Sequence, residues 1–154
     1  MFKLSPPIGL LKLGLLLTAY CGLSLVLFFL ASNTIIGWII YFVLLLPFYG
    51  LVLLGGWIFV WINRRRTARL SWLWALVLAL QVAVLLTSPG NCYGSKQGDR
   101  CYSNLQVLFG NVARTGYHDV PHWRLAEDAF PGLVAAYDAS MILALWRVAA
   151  TRSQ

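Results

Sequence analysis

Apolar positions in this chain do not fall into stripes; they accumulate in long uninterrupted runs separated by short polar punctuation. One run extends from about Leu10 to Ala31, a second from about Ile35 to Ile62, a third from about Leu70 to Thr87 and a fourth, richer in alanine, from about Pro131 to Ala149. Runs of eighteen or more apolar residues predict helices that cross a bilayer. Ser32, Asn33 and Thr34 form a tight turn between the first two, and Ser88-Pro89-Gly90 stops the third. The reading is an all-α polytopic membrane protein, a single domain over residues 1–154 built as a four-transmembrane-helix bundle.

The second run is the longest. At helical rise its 28 residues span roughly 42 Å, more than the ~30 Å hydrocarbon core, so the helix tilts, kinks or protrudes. Pro47 offers the kink, because it removes one backbone hydrogen bond and crowds the preceding turn. Gly50, Gly55 and Gly56 give the same helix small faces where a neighbour can approach. Cys21 reads as a small apolar residue within the first run.

Charge then orients the runs. Lys3, Lys12, Arg64, Arg65, Arg66, Arg69, Arg147 and Arg152 lie at the N-terminus, in one short connection and at the C-terminus, with no acid among them. Residues 88–130 hold Lys96, Arg100, Arg114 and Arg124 against Asp99, Asp119, Glu127 and Asp128, a balance of zero. Insertion retains Lys and Arg on the cytoplasmic side. Both termini are therefore expected in the cytoplasm, and the 88–130 loop on the periplasmic or extracellular face of a plasma membrane, of which a bacterial inner membrane is the best fit. The first run is too long for a signal h-region and lacks a cleavage site after it, so a retained span is expected. The formal net charge of +7 is explained by orientation and anionic headgroups rather than by nucleic acid. Membrane lipids and a membrane-protein partner are the expected contacts; oligomeric state is not legible.

The 43-residue loop (88 to 130) is too long for a bare connector. Leu105, Leu108, Phe109 and Val112 recur at i, i+3, i+4 and i+7, one face of a short amphipathic helix that Ser103 would cap. A second short helix is expected from Pro121, carrying Trp123, Ala126 and Phe130, with Asp119 as its cap. Leu105, Leu108, Phe109, Val112 and Trp123 make this loop the expected partner-binding surface. Cys92 and Cys101 lie on its oxidising side and close a ten-residue ring, worth roughly 2–3 kcal/mol as a disulfide.

Chemistry inside the runs centres on Asp138, since an ionisable group in a span costs roughly 3 kcal/mol and usually faces the bundle interior. Counted from the expected outer ends, Asp138, Gln81, Ser24 and Tyr41 each lie seven residues deep, about 10 Å at helical rise. They form an expected intramembrane polar layer: structural glue, a proton or ion site, or a pocket for a quinone or lipid headgroup. His118 and His122 are four apart, but Pro121 breaks the helix between them and no third ligand is well spaced, so they are weak metal candidates. No cofactor is implied, and no nucleophile-and-base arrangement or paired carboxylates point to catalysis. The leading expectation is a non-catalytic membrane protein that binds another, as an accessory or assembly subunit or an immunity-type partner. The alternatives are a small ion- or proton-coupled transporter or channel built on the layer around Asp138, and a membrane thiol/quinone oxidoreductase using Cys92 and Cys101.

Overall fold

A computed structural model describes residues 8–32, 34–65, 67–68, 71–92, 101–110, 112 and 120–150. His118 and Asp119 lie outside the described residues. The chain is mostly helical: α1 (Leu10–Ala31), α2 (Ile35–Ile40), a π-helical turn (Tyr41–Leu45), α3 (Leu46–Asn63), α4 (Leu73–Thr87), α5 (Asn104–Leu108) and α6 (Arg124–Ala150). Two tiny antiparallel ladders close its ends. β1 (Ile8–Gly9) pairs with β2 (Thr67–Ala68), and β3 (Pro89–Asn91) with β4 (Tyr102–Ser103). The first ladder lies among the basic residues and marks the basic end; the second marks the cap end.

Three helical stretches are long and apolar enough to cross a membrane: Leu10–Ala31, Gly37–Asn63 and Arg124–Val148. The helix α4 is apolar but has 15 residues, about 22 Å, less than the hydrocarbon thickness. It begins at Leu73, three residues later than the apolar run suggests. All four rods nevertheless feed one core, in which Cys21 and Phe28 of α1, Tyr41, Leu45 and Tyr49 of the second rod, Val77 and Val84 of α4, and Tyr137 and Met141 of α6 are buried together. The closest pairings are α4 with α6 and α1 with α3. Outward-facing Leu16, Leu23, Leu27, Leu51, Leu54 and Ile142 are exposed, as expected of surfaces solvated by acyl chains.

Seam spacing explains the packing. Buried positions on α1 are Leu10, Gly14, Leu17, Cys21, Ser24 and Phe28, and the buried apolar positions on α6 are Phe130, Val134, Tyr137, Met141, Ala144 and Val148, with Ser140 buried beside them. Both sets alternate steps of four and three, the period of 3.5 that keeps one seam against a neighbour. Of Gly50, Gly55 and Gly56, Gly56 is the one at close approach: an added Cβ would meet Leu17 Cδ2 at 3.0 Å, whereas at Gly50 and Gly55 it would meet nothing within 4 Å.

Pro47 acts through the π turn. The Leu46 N–H bonds to the Tyr41 carbonyl, five residues back, so the helix widens where the proline ring would otherwise strike the preceding turn. An ordinary helix drifts about 40° over each four-residue step; the wide turn takes that drift back. Tyr41, Leu45 and Tyr49, four apart, therefore all point into the core.

The fourth run differs most from expectation. Pro131 does not start its helix; α6 begins at Arg124 and carries Pro131 inside. No separate helix forms from Pro121, and residues 121–123 lead straight into α6. Pro131 itself is exposed, and the carbonyl that it deprives of a donor is that of Glu127, one turn back. The connection between α4 and α6 thus ends at residue 123 rather than 130. In the cap, the helix through Leu105 and Leu108 is likewise shorter than its periodicity suggests. It ends at Phe109–Gly110, where Gly110 adopts a left-handed φ of 66° and donates its N–H to Val107 O, the usual glycine stop. Val112 lies beyond it.

Candidate functional site

Two constructions use polar groups where an apolar chain has few to spare. The first is a ring inside the core. The Tyr20 hydroxyl donates to Gln81 Oε1 at 2.8 Å and lies 2.9 Å from the Tyr137 hydroxyl. Tyr137 meets Tyr49, Tyr49 meets Ser24 at 2.7 Å, and Gln81 Nε2 donates to Ser24 at 2.8 Å. Each hydroxyl has one proton, so the two bonds to the Gln81 amide set every other direction. Tyr20 gives its proton to Gln81, so Tyr137 donates to Tyr20, Tyr49 to Tyr137, Ser24 to Tyr49, and Gln81 to Ser24. The circuit closes with each hydroxyl giving once and receiving once. Turning the Gln81 amide over reverses the whole circuit and satisfies the same groups. A 3.5 Å contact between Ser24 and Tyr137 crosses it.

The ring draws on all four long rods and carries no formal charge. Ser24 and Gln81 of the expected polar layer meet directly. Tyr20, Tyr49 and Tyr137 complete the circuit and were not legible by counting depth, because a phenol reaches about a turn beyond its own backbone. Tyr41 is not in the ring. Its ring packs on Phe28 at 5.0 Å and on Phe130 at 6.1 Å, and its hydroxyl, which approaches Ser88, makes no hydrogen bond of good geometry. The layer crosses the second rod two turns further on, at Tyr49. Asp138 is not in the ring either. It follows Tyr137 directly, and one residue turns a helix by about 100°. Its carboxylate is partly buried, with Oδ1 lacking a hydrogen-bond partner.

The second construction is the cap. Cys92 and Cys101 form the expected disulfide. The cap is held to the rods by Asn104, whose Nδ2 donates to Ala31 O and to Leu85 O, both at 2.9 Å. One amide thereby satisfies carbonyls at the ends of two helices that no intrahelical donor can reach. The Asn104 N–H adds a bond to Ser88 O at 2.8 Å. Gly90 is required beside it, since a Cβ there would lie 2.2 Å from Asn104 Oδ1 and 3.0 Å from its Cα. Thr34 joins the α1–α2 turn to the same place, donating to Pro89 O at 3.2 Å and accepting from the Gly37 N–H at 3.1 Å.

Gln106 is fully buried. Its Nε2 donates to Pro121 O at 2.8 Å, and its Oε1 accepts from the Trp123 N–H at 3.1 Å, so it gathers the returning chain onto α5. Ser103 caps α5 by accepting from the Gln106 N–H, as its position suggests. Tyr102 donates to Val120 O at 3.1 Å and stacks flat on His122, 4.2 Å between centroids. His122 Nδ1 lies 2.8 Å from Glu127 Oε1. Among the described residues no group of three or more His, Cys, Asp or Glu is placed to hold a metal.

The cap is inverted relative to a soluble loop. Gln106, Ser103 and Tyr102 turn inward, while Leu108 is 72% exposed, Phe109 69% and Leu125 89%. Phe109 contacts the half-buried Trp123, 5.9 Å between centroids; Leu105 and Val112 are half-buried. No known protein family, curated protein or solved structure matches this chain.

Proposed function

We propose that this is a four-span membrane protein, both termini cytoplasmic, that is not a catalyst but binds another membrane protein through its cap, as an accessory or assembly subunit or an immunity-type partner. The inverted cap carries this reading. A rigid polar skeleton holds Leu108, Phe109 and Leu125 outward at the end of the rods, and exposed apolar side chains on a fixed frame suit a docking surface. The threading rests on the partition of charge, and a reporter after Gln154 found on the same side as Cys92 would overturn it by removing the last crossing. A photo-crosslinking residue at Leu108 or Leu125, in native membranes, is expected to give an adduct of discrete mass with one protein. Adducts to lipid alone would show that the cap merely rests in the headgroup layer.

The orphan Oδ1 of Asp138 supports a second reading, a proton- or ion-coupled transporter. Asp138→Asn separates the two. The binding reading expects the crosslink and the phenotype to survive, with stability changed by no more than about 0.5 kcal/mol; the transport reading expects loss of flux with the crosslink intact.

A further inference from the structure

The basic half of the molecule contains a crevice of about 330 Å³ between α1, α3, α4 and α6. Gly14, Gly55 and Gly56 make room for it, and Leu17, Phe59 and Trp146 are among its walls. Along α3 it runs from Leu51 to Val60, about 14 Å at helical rise. Its lining is apolar apart from the indole N–H groups of Trp74 and Trp146, of which the Trp74 N–H is buried with no acceptor in the protein.

At its Val60 and Val148 end the crevice approaches the basic segments of the chain. Leu10, Ala68 and Val148 cluster there with Leu13 and Phe59, and the β1–β2 ladder ties the start of α1 to the segment after α3. That arrangement puts Lys12 (beside Leu13), Arg64 and Arg65 (one turn past Val60) and Arg147 (between Trp146 and Val148) at the same end of the molecule, with Arg64 and Arg65 lining a neighbouring hollow beside Asn63. Lys12, Arg64 and Arg65 are exposed, and no acid accompanies them in sequence. An apolar slot of acyl length below a cluster of positive charge, with an unsatisfied donor on its wall, has the chemistry of one ligand class. We infer that the crevice is a site for an anionic phospholipid, one acyl chain lying between α3 and α6 and the phosphate on the basic residues. The inference rests on the membrane-crossing reading of the helices and is independent of the partner reading.

The full chain in nanodiscs of equal phosphatidylcholine and phosphatidylglycerol, released and weighed by native mass spectrometry, tests it. The wild type is expected to retain phosphatidylglycerol over phosphatidylcholine by about tenfold, since each nearby Lys or Arg attracts an anionic headgroup. Gly55→Leu fills the slot at a position where an added Cβ meets nothing, so it is expected to fold and to lose the retained lipid. Arg64→Gln with Arg65→Gln keeps the slot and is expected to bring the two lipids to within about twofold. Gly132→Leu, also open but outside the crevice, is expected to match the wild type. Equal retention of both lipids by the wild type, or undiminished phosphatidylglycerol on Gly55→Leu, overturns the site.

Discussion

The two halves of the molecule are joined by different physics. Toward the cap, the rods are connected by directed bonds: the hydroxyl ring, the double reach of Asn104 and the Thr34–Pro89 link. Toward the basic end, beside the β1–β2 ladder and the bond from the Trp57 indole to the Thr18 hydroxyl, small residues and aliphatic contact fill the interior, and the packing leaves a crevice. Lipid removes most of the hydrophobic drive that brings helices together in water. Hydrogen bonds then set position where they occur, and gaps persist where they do not. The difference teaches that in an apolar chain the few polar residues specify geometry, while the many apolar ones supply the solvent match.

The sharpest way to break this comparison is Gln81→Leu. It removes both amide bonds to the ring and leaves Tyr20 without an acceptor, at an expected cost of about 3–5 kcal/mol, measured by steric trapping in bicelles. A cost no larger than that of Gly55→Leu in the other half would erase the contrast. Replacing Cys92 and Cys101 together by serine is expected to cost roughly 2–3 kcal/mol from loop entropy, read by the same unfolding assay with and without reductant. Asn104→Ala withdraws donors from two helix ends, and about 2 kcal/mol is expected, with faster amide exchange near Ala31 and Leu85. The finest test pairs two phenols. Tyr137→Phe opens the ring and is expected to cost about 1–2 kcal/mol, whereas Tyr41→Phe deletes a hydroxyl that makes no good bond and is expected to be neutral within about 0.5 kcal/mol.

How much of this was readable beforehand follows the same division. The bounds of α1 fall at Leu10 and Ala31, as its apolar run indicates, because length against a bilayer is a one-dimensional question. The start of α6 was hidden by Pro131, since a proline that opens a helix and one carried within a helix look alike in sequence. Depth from the cap end located Ser24 and Gln81, yet it could not separate Tyr137 from Asp138. Rotation about the axis decides that, and on rods apolar all round no stripe reveals which face is buried. Asn104 gave no signal at all. Its two acceptors lie 73 and 19 residues away, and an asparagine after a serine reads only as the edge of a helix.

The wide turn at Tyr41–Leu45 works as a vernier. Deleting one residue within it would restore ordinary winding and leave everything downstream facing nearly as before, since seven ordinary steps from Tyr41 come within about 20° of two full turns. Tyr49 would keep its socket, and Gly56 would still face Leu17. A single codon lost at Gly50, where no wide turn absorbs it, should instead swing Gly56 through about 100° away from Leu17, although every hydrophobic residue in the span would still be present.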